Sequence, residues 1–209
     1  MKKIAFCAVA ALLLGVWSAD AQIISGSSYS SSTEYTSKAK NTRYQGELNF
    51  GYGLGGKIKD SDGDKDDAKF SRVFIETVHG MRINEYAFAG LGVGFQYAYD
   101  DKNLVSAEED SGVGFIPLFV DLKGYYPVTD DFAPYVSVDL GYGLPVIGSD
   151  GRYDTLKGGF YASYGIGMNY KKLNFGLGWQ HQGFKYEYEG ETGEGYAVNS
   201  FYVKVGFKF

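Results

Sequence analysis

Cysteine occurs once, at Cys7, inside an N-terminal stretch with the make-up of an export signal. The mature chain is therefore expected to hold no thiol, no disulfide and no cysteine metal site. Histidine is confined to His79 and His181, which leaves few bases to activate a nucleophile. Beyond the first 20 positions, no run approaches the roughly 18 apolar residues of a membrane-crossing helix. Basic residues are outnumbered, 20 against 25 acidic, for a net charge of −5. That balance makes nucleic acid a poor partner. No nucleotide-binding glycine loop, zinc pattern or heptad is found. Proline is also rare, at 4, while glycine reaches 30 of 209 residues, with 19 Tyr and 15 Phe. This glycine content is about twice the ~7% average. Glycine at that density opposes helices, because each interior one costs ~1 kcal/mol. It suits a sheet with small residues on one face and aromatics at its rims.

Met1 to Ala21 reads as a secretory signal. Lys2 and Lys3 supply the positive start, Ile4 to Val16 the short apolar core, and Ala19-Asp20-Ala21 the cleavage site. Its removal leaves a net charge of −6. Residues 22–43 are rich in Ser and Thr without a sustained period, and are expected to form a flexible periplasmic leader. Residues 44–209 form the remaining domain.

The period changes there to two. The most regular stretch is the last, Phe201 to Phe209, with Phe201, Val203, Val205, Phe207 and Phe209 on one face and Tyr202, Lys204, Gly206 and Lys208 on the other. Successive strand side chains point to opposite faces, so this is a strand with one apolar side. Seven similar segments precede it, at Gly46–Gly56, Ser71–Ile83, Tyr86–Tyr97, Val113–Tyr126, Ala133–Leu144, Gly159–Tyr170 and Leu173–Gly183. The joins near Asn84, Thr129 and Lys171 are short. Those at Lys57–Phe70, Asp100–Gly112, Pro145–Lys157 and Lys185–Gly195 are expected to be longer polar loops. Eight strands of roughly 10–14 residues, with short turns at one end and long loops at the other, describe a transmembrane barrel. The fold class is thus all-β, an eight-stranded antiparallel up-and-down meander. Closure brings the last strand onto the first, leaving no free edge.

The apolar faces would meet lipid and the glycine-rich faces the lumen. An eight-stranded barrel is only wide enough for side chains to fill, which argues against an open pore. The inward register carries Glu47, Glu76, Asp121 and Asp139 against Arg72, Lys123 and Lys204. Charges in such a space must pair, so a salt-bridged, partly wet polar network is expected. Lys204 is expected to meet Glu47, Glu76, Asp121 or Asp139. Tyr86, Tyr126 and Tyr170 near the short turns, and Tyr97 and Trp179 towards the loops, suit interfacial belts. The four loops hold 16 acidic and eight basic residues, consistent with solubility or with cation bridging to lipopolysaccharide. Asp60-Ser61-Asp62-Gly63-Asp64 resembles a calcium loop, but Lys65 and Ser71 stand where that pattern needs Gly and Glu. The better reading is a solvated segment.

Ile116-Pro117-Leu118-Phe119-Val120-Asp121-Leu122, Ala133-Pro134-Tyr135-Val136, Asp139-Leu140-Gly141-Tyr142-Gly143 and the final Phe209 resemble small outer-membrane β-barrels of the OmpA/OmpX type, and more closely the porin-family barrels of the Bacteroidota. The resemblance covers about Tyr44 to Phe209. It implies residence in the outer membrane and reading of Phe209 by the barrel-assembly machinery. It implies no catalytic residue, cofactor or metal. The expected function is a non-enzymatic envelope-structural or surface-interaction role, by a monomer among outer-membrane lipid and lipopolysaccharide. Alternatives are a lipid-modifying barrel enzyme, a narrow pore for small solutes, or a soluble lipocalin-like barrel with its apolar faces turned inward. An enzyme would need a histidine beside a nucleophile such as Ser163 or Ser200. By register both serines face inward and His181 faces outward, while His79 sits near a short turn.

Overall fold

The computed structural model describes residues 42–59, 65–100, 112–147, 155–188 and 191–209. The signal segment, almost all of the leader and the calcium-like stretch 60–64 lie outside the described residues. Eight antiparallel strands close into a barrel in sequence order: β1 Arg43–Lys59, β2 Lys65–Arg82, β3 Ala87–Asp100, β4 Val113–Tyr125, β5 Phe132–Ile147, β6 Thr155–Tyr170, β7 Leu173–Tyr188 and β8 Glu191–Lys208. Closure is made by β1 against β8, from Glu47 opposite Lys208 to Lys59 opposite Ala197. Reciprocal backbone bonds extend it by one rung: Gly46 N–H donates to the Phe209 carbonyl at 2.8 Å, and Phe209 N–H to the Gly46 carbonyl at 2.9 Å.

The three short turns are built by local chemistry. Between β2 and β3, the Asn84 side-chain oxygen accepts from the backbone N–H of Tyr86 and of Ala87, both at 2.8 Å, an Asx turn. Thr129 Oγ accepts from Phe132 N–H at 3.0 Å before β5. Lys171 turns β6 into β7 at φ 55°, a left-handed conformation that costs an ordinary L-residue roughly 1–2 kcal/mol.

The other end departs from expectation. The segments Lys57–Phe70 and Lys185–Gly195 are largely strand: β1 and β2 continue to Lys59 and Lys65, and β7 and β8 to Tyr188 and Glu191. Polar side chains there do not dictate loop conformation, because the backbone bonds are made by the neighbouring strand whatever the side chains are. Six of the eight strands, β1, β2, β5, β6, β7 and β8, run 16–18 residues, more than the roughly 9–11 needed to cross a bilayer at a tilt. Hydrogen-bonded strand in these six thus continues beyond the length that a bilayer requires.

Sidedness is the reverse of a soluble protein. Leu118, Val120 and Leu122 of β4, Val136, Val138 and Leu140 of β5, and Val203, Val205 and Phe207 of β8 are exposed on the outer wall. Buried on the inside are Glu47, Asn49, Arg72, Glu76, Gln96, Asp121, Lys123, Asp139, Asn174, Gln180 and Lys204. This excludes the lipocalin-like arrangement. Tyr86 and Tyr126 stand 59% and 72% exposed beside the short turns, where an interfacial belt requires them.

Glycine makes the narrow interior possible. The Phe119 ring lies over Gly92, Phe74 over Gly51, and Tyr135 over Gly167, so that a Cβ at any of these glycines would run into the ring. A large inward side chain on one strand is thus matched by a missing one on a neighbour. Gly92→Ala is expected to cost about 1–3 kcal/mol by overpacking. In a Phe119→Ala background the same change should cost far less. Urea unfolding midpoints, followed by the gel-mobility difference between folded and heated protein, test this.

Candidate functional site

The lumen collects all seven charged residues that the sequence assigns to it. Glu47 is 0% exposed, Asp121 and Asp139 1%, Arg72 2%, Glu76 and Lys123 3%, and Lys204 6%. Lys123 Nζ lies between Glu47 Oε2, which it contacts closely, and Asp121 Oδ2 at 3.0 Å. Lys204 Nζ donates to Glu76 Oε1 at 3.0 Å, which selects one of its four candidate partners. Arg72 has no carboxylate partner among those described. Its guanidinium donates to Gln96 Oε1 at 3.0 Å, Ser200 Oγ at 2.8 Å and the Val198 carbonyl at 3.4 Å. Asp139 takes part in none of these ion pairs.

Neutral amides complete the network, and a reading of charges alone passes over them. Asn174 Nδ2 donates to Glu47 Oε2 and to Asn49 Oδ1, both at 3.0 Å. Gln45 Nε2 donates to Glu47 Oε1 at 2.8 Å and to Tyr125 Oη at 3.0 Å. Tyr135 Oη donates to Asn174 Oδ1 at 2.6 Å. Their signal was present in sequence, since Asn49, Asn174 and Gln180 share the inward register of the charged residues. At the short-turn end, the Arg82 guanidinium lies 4.3 Å above the Tyr125 ring. Rings also flank the ammonium groups, with Lys123 Nζ 5.3 Å from the Phe88 centroid and Lys204 Nζ 5.5 Å from that of Tyr202.

Both histidines face outward. His181 Nδ1 is 2.7 Å from Asn199 Oδ1. His79 lies 2.5 Å from Tyr44 Oη through Nδ1 and 3.0 Å from Thr77 Oγ through Nε2. Thr77 donates to the Glu47 carbonyl at 3.2 Å. The consistent proton arrangement has the imidazole donating to Thr77 and accepting from Tyr44, so it does not act as base toward the Thr77 hydroxyl. Ser163 and Ser200 lie inside, bonded to Tyr202 Oη at 3.4 Å and to Arg72. Among the described residues, no group of three or more His, Cys, Asp or Glu is poised for a metal.

A closed eight-stranded barrel with an apolar exterior and an ion-paired interior is a small transmembrane β-barrel. Solved structures of outer-membrane proteins are similar to it. Outer membrane protein AlkL is 14% identical over 87% of this chain and 97% of its own, with a TM-score of 0.49. Neisserial surface protein A is 14% identical, with 80% and 99% covered and a TM-score of 0.45. The outer membrane enzyme PagL is 11% identical, with 76% and 97% covered and a TM-score of 0.43. No family model and no curated protein matches the sequence.

Removing one partner of a buried pair leaves a desolvated charge, at a cost of about 3–5 kcal/mol. Lys123→Met is therefore expected to lower stability by that order, because it strands Glu47 and Asp121 together. Adding Glu47→Gln and Asp121→Asn should restore most of the loss. A triple variant no more stable than Lys123→Met, by urea midpoint in detergent, would contradict the pairing.

Proposed function

We propose that this chain is a non-enzymatic outer-membrane protein that anchors in the envelope as a monomer and presents extended strand ends to the exterior. The observation that carries this is the inversion of sidedness. The outer wall offers lipid a continuous apolar band, while the lumen is filled and cross-linked by buried polar groups. A filled lumen supports a structural or interaction role over solute passage, since aqueous channels belong to barrels of roughly 16–18 strands. The extended ends of β7, β8, β1 and β2 supply the surface that the sequence assigns to loops. In this reading, lipopolysaccharide and outer-membrane lipid surround the barrel, and Phe209, seated on Gly46, is the residue read by the assembly machinery.

The arrangement of the histidines supports the non-enzymatic reading. Neither is placed to activate Ser163, Ser200 or Thr77. PagL gives the competing reading its specific form, a barrel that acts as an enzyme.

Fractionation of expressing cells tests the location. The protein is expected in the outer membrane, released only by detergent and running at different gel positions before and after heating. Recovery in the soluble periplasmic fraction would sink the proposal. Epitope tags between Asp60 and Asp64, and next to Glu189, should be removed by protease on intact cells. For the enzymatic alternative, lipid A mass spectra should not change on overexpression, nor differ between wild type and His181→Ala. A new lipid A species present only with wild type would favour the enzyme.

A further inference from the structure

The ion pairs do not take in every carboxylate of the lumen. Among the described residues, Lys123 contacts Glu47 and Asp121 and Lys204 contacts Glu76, while Arg72 bonds the neutral groups of Gln96, Ser200 and Val198. Asp139 is left outside these ion pairs, although Arg72 and Arg82 are buried in the same lumen. Asp139 concentrates the problem. It is 1% exposed, and neither carboxylate oxygen has a hydrogen-bond partner among the described residues. Its direct cross-strand neighbour on β4 is Asp121, whose Oδ1 is likewise without a partner. Opposite residues on one face of a sheet have Cβ atoms roughly 4.5–5.5 Å apart. On β6 its opposite is Ser163, and opposite Ser163 on β7 is Gln180. Gln180 is 1% exposed and also has an acceptor, Oε1, with no partner. Its amide nitrogen is committed to Tyr161 Oη at 2.9 Å.

One inward row across β4 to β7 thus sets out two carboxylates, a hydroxyl and an amide carbonyl. Every unpartnered atom in it is an oxygen acceptor. What the row needs is positive charge, and more than one hydrogen's worth of coordination. We infer that the Asp121–Asp139–Ser163–Gln180 row binds a small hard metal cation of the calcium or sodium type in the barrel lumen. Such ions take carboxylate, carbonyl and hydroxyl oxygens together and tolerate irregular geometry. A proton shared between Asp121 and Asp139 would serve one oxygen of each and leave the second Asp139 oxygen and Gln180 Oε1 unpaired. Unpartnered polar atoms of Arg72, Gln96 and Gln182 continue the polar lining towards the far end of the lumen. The inference rests on the lumen alone and is independent of the barrel's role in the envelope.

The test uses the refolded full-length mature chain in detergent, after chelator treatment and dialysis into choline chloride. Calcium chloride and sodium chloride are titrated separately at constant ionic strength, with heat of binding and unfolding midpoint as readouts. One of the two ions is expected to bind at about one per barrel and to raise the midpoint. Asp139→Asn should weaken that binding at least tenfold while keeping the heat-sensitive gel shift of a folded barrel. Gln180→Met, which keeps both carboxylates, should weaken it by a smaller factor. Binding of neither ion overturns the inference. So does binding that Asp139→Asn leaves intact, or a midpoint that responds to lower pH and to no cation.

Discussion

Closure of β8 onto β1 is the constraint on which the rest depends. In lipid, an unpaired backbone N–H or C=O costs several kcal/mol, so a sheet can cross a membrane only when it has no edge. The rungs from Gly46 and Phe209 to Lys59 and Ala197 remove the last edge. Once it is gone, the backbone makes no further demand on its surroundings. The exterior can then be apolar throughout, and the whole burden of specificity passes to the lumen.

Eight strands leave little room inside, and the solution is division of space between neighbours. Phe119 occupies the volume that Gly92 vacates, and Phe74 that of Gly51. Around these rings, Lys123 and Lys204 tie strands that are not hydrogen-bonded neighbours, β4 to β1 and, across β1, β8 to β2. A buried pair contributes little to net stability relative to an apolar substitute. Here its effect is on register. Because strand side chains alternate with period two, a slip of one residue would carry Glu47 or Lys204 to the lipid side. The charged lumen therefore penalises mis-registered closure, in proportion to the cost of an unpaired charge in hydrocarbon.

Much of this was legible beforehand, for a physical reason. Period-two alternation in Val136 to Leu140 or Phe201 to Phe209 reports which side meets lipid, and the glycines on the opposite register report a crowded interior. The seven lumen charges follow from the same parity count. Less legible were the ends of strands. Lys57 to Phe70 and Lys185 to Gly195 look like loops because they are polar, yet pairing with a neighbour holds most of their backbone in the sheet. The amides Asn49, Asn174 and Gln180 share the inward register but carry no charge to draw notice, and Gln45 lies before the first segment that alternates.

The sequence by itself determined the class of fold, the number of strands and the face that each residue takes, because these depend on local alternation along one strand. The tertiary structure alone decided which charges meet. Lys204 had four possible acids on its face, and only the stagger of eight strands around the barrel brings it to Glu76. The same stagger leaves Asp139 beside Asp121 without a partner. Cross-barrel distances are set by closure and shear, which no single strand contains.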